Sequence, residues 1–418
     1  MPSMLPAPSE TLWTPSNMMP NLDMTIERLE LTNFKTFPHA VIPFARRMNV
    51  FVGINGAGKT SILLALSKLL SWQARRMSSP VGSGGGSAIL EQEIRSGAPD
   101  AMLKAVARWG DRTFSWTLAK TRRGGRIAVS RSNLLEMTNA VRDFRNRFPE
   151  GDFGSPLFAS YSANRMILDI PKRIRVRHSF GPENANNGAL TGVPDFRLFV
   201  EWFREREDIL NERIAEDVRR RRSKPTPQDP ELKWVKEALS RFLPDVSDWR
   251  VRRGPMRFLA RKKEGEFVVD QLSDGEKNLL AVVGDIARRL VQANGGSTSP
   301  LDGPGVVLID EVELHLHPAW QTRILPQLFK TFPRVQFAVT THSSFVLSQL
   351  NSLLLERRMA GTGTSGAGAR DIDVFAVRNG NVDSLLSEDT GLIKSSEMDD
   401  VAAEIDEEFD RLLEKSGS

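Results

Sequence analysis

The stretch RRMNVFVGINGAGKTSILLALSKLL, residues 46–70, constrains this chain more than any other. A short apolar run ends at Gly53. Residues 53–60, GINGAGKT, then fit G-x-x-x-x-G-K-T completely, and apolar residues follow at helical spacing. Strand, glycine loop and helix in that order make a phosphate cradle. The glycines let the backbone turn its N–H groups inward, and the helix adds the positive end of its dipole. Gly53, Asn55, Gly56, Ala57, Gly58, Lys59, Thr60 and Ser61 are therefore the expected phosphate contacts. Lys59 supplies charge to the β and γ phosphates, and the Thr60 hydroxyl suits Mg²⁺.

A second stretch, GVVLIDEVELHLHP, residues 305–318, gives that cradle a counterpart. Four apolar residues place Asp310 and Glu311 at the C-terminal end of a buried strand, where open α/β sheets hold ligands. Adjacent carboxylates are costly to bury without a cation nearby. Asp310 is read as a Mg²⁺ ligand and Glu311 as the residue that polarises an attacking water. TTHS, residues 340–343, puts His342 just past another apolar strand, VQFAV, within reach of a γ-phosphate or its water. His315 and His317 form an H-x-H pair. On a strand they would face one side as half a metal site, but no third ligand is evident, and a loop that meets a partner subunit fits better.

The rest of the chain reads as α/β. TIERLELTN, residues 25–33, alternates as a half-buried strand, DAMLKAVARWGDRTFSWTLAKT as a strand pair around Gly-Asp, and PLFASY as a strand. Short apolar strands alternating with helices indicate a parallel sheet. We expect a disordered leader over residues 1–23, an N-terminal ATPase lobe over 24–195 and a helical insertion over 196–250. A C-terminal lobe follows over 251–358, then a flexible loop, a hairpin with an Asn-Gly turn and an acidic tail over 359–418. The full length of 418 residues accommodates this.

Composition narrows the partners. There is no Cys, so no thiolate zinc site or disulfide. No run of about eighteen apolar residues suggests a membrane span, and the first residues lack a signal-peptide pattern, so a cytoplasmic location is expected. Net charge is +5, with basic clusters at residues 172–177, 219–224 and 250–263. Such clusters bind nucleic acid or form solvated faces. Arg219, Arg220, Arg221 and Arg222 are the candidate nucleic-acid contacts.

With the phosphate loop, LSDGE at residues 272–276, VVLIDE and TTHS in this order, the sequence resembles the ABC-type ATPases, and LSDGE looks like their signature motif. LTNFKTF, residues 31–37, resembles the opening of the RecF, SMC and OLD-like branch. DFRLFVEWFREREDILNE, QLSDGEKNLLAVVGDIARRL, LIDEVELHLHPAWQTRILPQLFKTFP and FAVTTHSSFVLSQL together look like one bacterial group. These are predicted ATP-binding proteins once labelled virulence-associated, among them ATPases of Septu-type and retron-linked anti-phage systems. The resemblance covers about residues 24–350.

It implies a P-loop fold of ABC type, a mixed sheet flanked by helices with an inserted helical subdomain. It also implies ATP and Mg²⁺ as cofactors and a homodimer, or a higher homo-oligomer, closed head to tail on ATP. In that sandwich Ser273, Asp274, Gly275 and Glu276 serve the neighbour's γ-phosphate. Glu311 takes the role of catalytic base and His342 that of the switch histidine. Asn164 stands where the glutamine loop is expected, without a glutamine, and Lys35 is a further phosphate contact from the NFK turn.

Three functions compete at this stage. One is an ATPase that senses or switches in anti-phage defence and controls a separate effector, a nuclease encoded alongside in Septu-type systems. The second is a RecF-like repair or chromosome-maintenance ATPase acting on DNA. The third, a transporter's nucleotide-binding subunit, is disfavoured by the NFKTF start, the 196–250 helices and the missing glutamine. No HNH pattern is visible. Asp371 and Asp373 in DID resemble half a nuclease metal site but fit a strand start better.

Overall fold

The computed structural model describes residues 23–78, 85–123, 131–147, 155–164, 178–220, 228–359, 370–387 and 389–393. The expected leader (apart from Asp23), Arg221, Arg222, the 172–177 cluster and the acidic tail lie outside them. Met24–Phe34 (β1) pairs antiparallel with Phe37–Pro43 (β2), and Met48–Val52 (β3) leads through the glycine loop into Lys59–Ser78 (α1). Asp100–Trp109 (β4) and Arg112–Thr121 (β5) form the hairpin expected around Gly110-Asp111, and β4 pairs back onto β1. The result is a four-stranded antiparallel sheet ordered β2-β1-β4-β5. Leu135–Arg147 (α2) and Leu157–Tyr161 (β6) complete the N-terminal half.

Phe196–Arg219 (α3) and Pro230–Phe242 (α4) are the long helices that the amphipathic pattern predicts, each opened by an aspartate cap, Asp195 and Asp229. A three-stranded sheet follows: Ser247–Arg253 (β7), Met256–Lys262 (β8) and Gly265–Val268 (β9). Phe258 of β8 sits in a ring cluster with Phe196, Phe199 and Phe203 of α3 and with Trp249 of β7. The helices and this sheet are therefore one packed unit. The expected boundary at residue 250 falls inside β7.

Asp274–Ala293 (α5), Gly305–Ile309 (β10), Pro318–Thr331 (α6), Val335–Thr341 (β11) and Ser344–Met359 (α7) continue the alternation. Ile372–Arg378 (β12) and Asn381–Ser384 (β13) close the chain's described part as the predicted Asn-Gly hairpin. The main sheet runs β13-β12-β3-β11-β10-β6, parallel except for β13. The hairpin is thus no appendage. β12 is the direct parallel neighbour of the glycine-loop strand β3, with Val374 opposite Val50. The expected division at residue 359 separated it from the ATPase lobe because parallel pairing at such sequence distance leaves no local pattern to read.

Alternation along these strands sorts the core into two layers. Val50, Val52, Val307, Ile309, Phe337 and Val339 face a cluster built with α3, α4, α5, α6 and α7. Phe51, Val306, Leu308, Ala338 and Phe375 face a second cluster with α1, α2 and the antiparallel sheet. Every residue of α5 from Asn278 to Ala293 is buried. A helix buried on all sides must pair its polar side chains. Asp285 does so with Arg288 at 2.7 Å, Arg289 at 2.8 Å and the Tyr161 hydroxyl at 3.0 Å. Arg289 also donates to the carbonyls of Ala185 and Asn187, tying α5 to the segment beside β6.

Candidate functional site

The C-terminal ends of β3, β11 and β10 lie side by side, and each delivers one part of the site. After β3 comes the glycine loop. Gly53 has φ +152° and Gly58 φ +115°, in the region that disfavours side chains. A Cβ on Gly53 would run into the Val377 carbonyl of β12, and one on Gly58 would stand 2.7 Å from the Thr36 hydroxyl and 2.9 Å from the Phe37 ring. Loop, β1–β2 turn and C-terminal hairpin are therefore in contact. Asn55, Gly56 and Thr60 are exposed, Ser61 is half-buried, and Ala57 and Lys59 are buried. The Lys59 ammonium folds back onto the loop, donating to the Gly53 carbonyl at 2.5 Å and the Ile54 carbonyl at 2.9 Å. Its charge is held at the loop's mouth by carbonyls that phosphate oxygens can replace.

Asp310 is buried just past β10. Its carboxylate accepts from the Thr60 hydroxyl at 2.9 Å and from the Thr340 hydroxyl at 2.5 Å. Two hard oxygen donors from the loop helix and the carboxylate strand thus meet, the donor set that Mg²⁺ takes alongside phosphate oxygens. Thr340 also accepts from the Glu311 backbone N–H at 2.8 Å. Glu311 itself has φ +45°. A non-glycine residue held there stores strain of about 1–3 kcal/mol, a common mark of a working side chain.

His342 follows β11, its ring 40% exposed. Its backbone N–H donates to Glu313 at 2.7 Å, and its Nδ1 lies 3.2 Å from the same carboxylate oxygen. Glu313 and Thr340 are the residues that sequence reasoning passed over. The only signal was their place within VELH and TTHS, because their partners lie 29 residues away.

The signature segment packs on the turn that follows Glu311, through Gly275 against His315 and Asn278 on the Leu314 carbonyl. Ser273 caps α5: its hydroxyl accepts from the Glu276 N–H at 3.4 Å, and the Glu276 carboxylate accepts from the Ser273 N–H at 3.0 Å. Burial pushes the Glu276 carboxyl up, but hydrogen bonds from Lys262 and from Ser273 outweigh it and hold it below its ordinary value. Ser273, Asp274, Gly275 and Glu276 line a groove of ≈ 670 Å³ with His315, His317 and Trp320, and no residue of the glycine loop lines it. Gly275 packs so closely that a Cβ would stand 2.7 Å from the His315 carbonyl.

His315 and His317 do not lie on a strand as the H-x-H reading requires. His315 has φ +62°, and His317 caps α6, its Nδ1 accepting from the Ala319 N–H at 3.3 Å. The described residues contain no cluster of three or more His, Cys, Asp or Glu that could hold a metal. Asp371 pairs with Arg357, and Asp373 is tied up inside β12 by Val374 and Ser384.

Asn164 lies exposed three residues past Tyr161, after the strand that neighbours β10. Lys35 is exposed at the β1–β2 turn with φ +50°; its neighbours Thr36 and Phe37 make the contact with the loop. Arg219 ends α3 and Arg220 follows, both exposed, with Arg220 3.6 Å from Glu216. Among the described residues no helix is long and apolar enough to cross a membrane.

A glycine loop, an Asp–Glu strand end and a histidine-bearing strand on one sheet, with a capped signature helix whose groove holds no glycine-loop residue, define a P-loop ATPase of ABC type. Residues 122–348 match the family model described as "AAA domain, putative AbiEii toxin, Type IV TA system", and residues 24–101 match an "AAA ATPase domain". The chain is 31% identical over 385 residues to the "Retron Ec83 probable ATPase" of Escherichia coli, covering 79% of this chain and 70% of that protein. It is 28% identical over 381 residues to the "Retron Vc95 probable ATPase" of Vibrio cholerae, covering 81% and 74%. A stretch of 82 residues is 39% identical to the "Septu protein PtuA" of Bacillus mycoides, covering 20% of this chain and 11% of that protein. The chain belongs to this family of ABC-type ATPases, in the RecF and OLD-like branch with the retron and Septu ATPases.

Proposed function

We propose that this ATPase is a switch in an anti-phage defence system. Two copies close head to tail on ATP, and the closed form controls a separate effector encoded beside it, a nuclease in the simplest case. The observation that carries this reading is the division of the site. Gly53–Ser61, Asp310, Glu311 and His342 converge on one set of strand ends, while Ser273–Glu276 line a groove that holds no loop residue. A signature segment so placed serves a phosphate held by another copy. The retron and Septu relatives support the defence setting.

In this reading Gly53, Asn55, Gly56, Ala57, Gly58, Lys59 and Ser61 cradle the phosphates. Thr60 and Asp310 would hold Mg²⁺, which when bound would supply positive charge against the phosphates. Glu311 polarises the attacking water and His342 contacts it or the γ-phosphate. Ser273 and Gly275, flanked by Asp274 and Glu276, approach the neighbour's γ-phosphate with the N-terminus of α5 behind them. Asn164 and Lys35 are further contacts in this reading.

Glu311→Gln should bind ATP, turn over at least about a hundredfold slower and accumulate as an ATP-bound dimer in multi-angle light scattering. A monomer under saturating ATP and Mg²⁺ would rule out the sandwich. Adding Ser273→Arg to that variant should leave nucleotide affinity intact and abolish the dimer.

The exposed Arg219 and Arg220 favour a second reading, a RecF-like ATPase acting directly on DNA. Alanine at all four positions Arg219–Arg222 should then flatten the dependence of log K on log salt by about 0.9 per lost phosphate contact. An unchanged slope in a salt titration returns the run to a solvated helix end.

A further inference from the structure

Glu313 has no part in the roles assigned so far, yet it is among the most deeply buried carboxylates near the site, at 4% exposure. Burying a carboxylate without full pairing is costly. Glu313 Oε1 accepts from the His342 N–H at 2.7 Å and lies 3.2 Å from His342 Nδ1. Glu313 Oε2 and His342 Nδ1 are both buried with no hydrogen-bond partner among the described residues, the 3.2 Å approach of Nδ1 to Oε1 falling outside hydrogen-bond geometry. Two orphaned polar atoms therefore belong to side chains already in contact.

Both side chains hang from fixed backbone. The turn carrying Glu313 is closed by Leu314 N–H on the Glu311 carbonyl at 3.0 Å and by Leu316 N–H on the Glu313 carbonyl at 2.9 Å. Val312 N–H ties it to the Thr340 carbonyl at 3.0 Å, and Asn278 of α5 donates to the Leu314 carbonyl at 2.8 Å. On the other side the Ser343 hydroxyl donates to Gln321 at 2.6 Å, which in turn donates to the Leu316 carbonyl. With the backbone at His342 pinned on both sides, what remains free is the ring, and the carboxylate faces one edge of it.

We propose that Glu313 is a positioning residue for His342: its carboxylate holds a proton at Nδ1 and so turns the Nε2 edge toward the nucleotide. A carboxylate on Nδ1 is how buried acids fix the tautomer and direction of working imidazoles. The neutral ring then offers Nε2 as an acceptor for the attacking water. A ring protonated on both nitrogens would instead offer Nε2–H as a donor to the phosphate. Because the same turn is tied to α5 through Asn278, the aim of His342 is set from the element that carries the signature.

The proposal rests on His342 meeting the nucleotide, and the test separates the two ideas. ATP turnover of the full chain with Mg²⁺ is compared for His342→Ala, Glu313→Gln and the double variant, with nucleotide affinity measured in parallel. Glu313→Gln keeps an acceptor for the His342 N–H, so a merely structural cap survives it. The expected result is about a tenfold or larger loss in turnover for each single variant at unchanged affinity, with the double variant no slower than His342→Ala. Additive losses, or full turnover in Glu313→Gln beside a slow His342→Ala, overturn the role of Glu313 alone. Full turnover in His342→Ala sinks both ideas. Long-range ¹H–¹⁵N spectra of the unmodified protein give a reading that needs no folded Glu313 variant. Of the 5 histidines, the one missing in His342→Ala should carry its proton on Nδ1, and a proton on Nε2 alone excludes the proposal.

Discussion

Asp285→Ala is expected to destabilise the fold by about 3–5 kcal/mol, a large share of the roughly 5–15 kcal/mol that holds a domain together. Removing this carboxylate strips the opposite charge from two guanidiniums, Arg288 at 2% exposure and Arg289 at 1%, and leaves the buried Tyr161 hydroxyl without its acceptor. Urea denaturation should show a lower midpoint, with the slope little changed. An unaltered midpoint would mean that water reaches the cluster. Burial alone would push the Asp285 carboxyl up, but Arg289 and Arg288 outweigh it and hold it below its ordinary value. A carboxyl with a depressed folded pKa stabilises fully above its unfolded pKa, about 3.9. That contribution drains away as pH falls through the folded value. The gap between wild type and Asp285→Ala should therefore narrow in strong acid and stay constant near neutrality. Replacing Asp285, Arg288 and Arg289 together by apolar residues is expected to recover much of the loss, since it leaves no charge stranded.

Lys59→Ala should weaken ATP binding by about 10- to 150-fold, the worth of about 1.5–3 kcal/mol for one charged hydrogen-bonding group. The ammonium is buried and held by the Gly53 and Ile54 carbonyls, so its charge is already at the mouth of the loop when phosphate arrives. No other residue of Gly53–Ser61 carries a charge to compensate. Fluorescent-nucleotide titration measures the change, and the thermal stabilisation by ATP should shrink with it. Wild-type affinity in this variant would remove the glycine loop from the nucleotide site. The fold should remain intact, because alanine is a good helix former at the first position of α1.

The candidate site was legible as a set of strand ends because each of its segments is local. GINGAGKT, VVLIDE and TTHS each carry strand, loop and functional residue within about a dozen positions, and periodicity placed β1, β4, β5, β6, β10 and β11 as the structure has them. What escaped depends on distance. Glu313 reads as one more acid in VELHLHP until β11 brings His342 against it. Thr340 looks like an ordinary strand residue, yet its hydroxyl joins Asp310 to the Glu311 backbone. His315 and His317 look like alternating strand residues, and the chain instead turns at His315 and caps a helix with His317. The hairpin of β12 and β13 was recognised as a hairpin, but Val374 gives no hint that it will lie beside Val50.

That last pairing bears on the order in which the molecule is made. The nucleotide loop leaves the ribosome early, but the strand that carries it gains its outer neighbour, β12, only when residues 372–378 have been synthesised. Until then β3 has a bare edge, and the Val377 carbonyl that packs against Gly53 is missing. Unpaired strand edges invite wrong partners, and pairings this remote in sequence form late. A chain wired this way cannot finish packing its glycine loop while it is nascent. Its phosphate cradle is finished only once more than three hundred further residues, signature helix included, have emerged. Premature termination before Ile372 would leave β3 with that edge bare and Gly53 without the Val377 carbonyl against it.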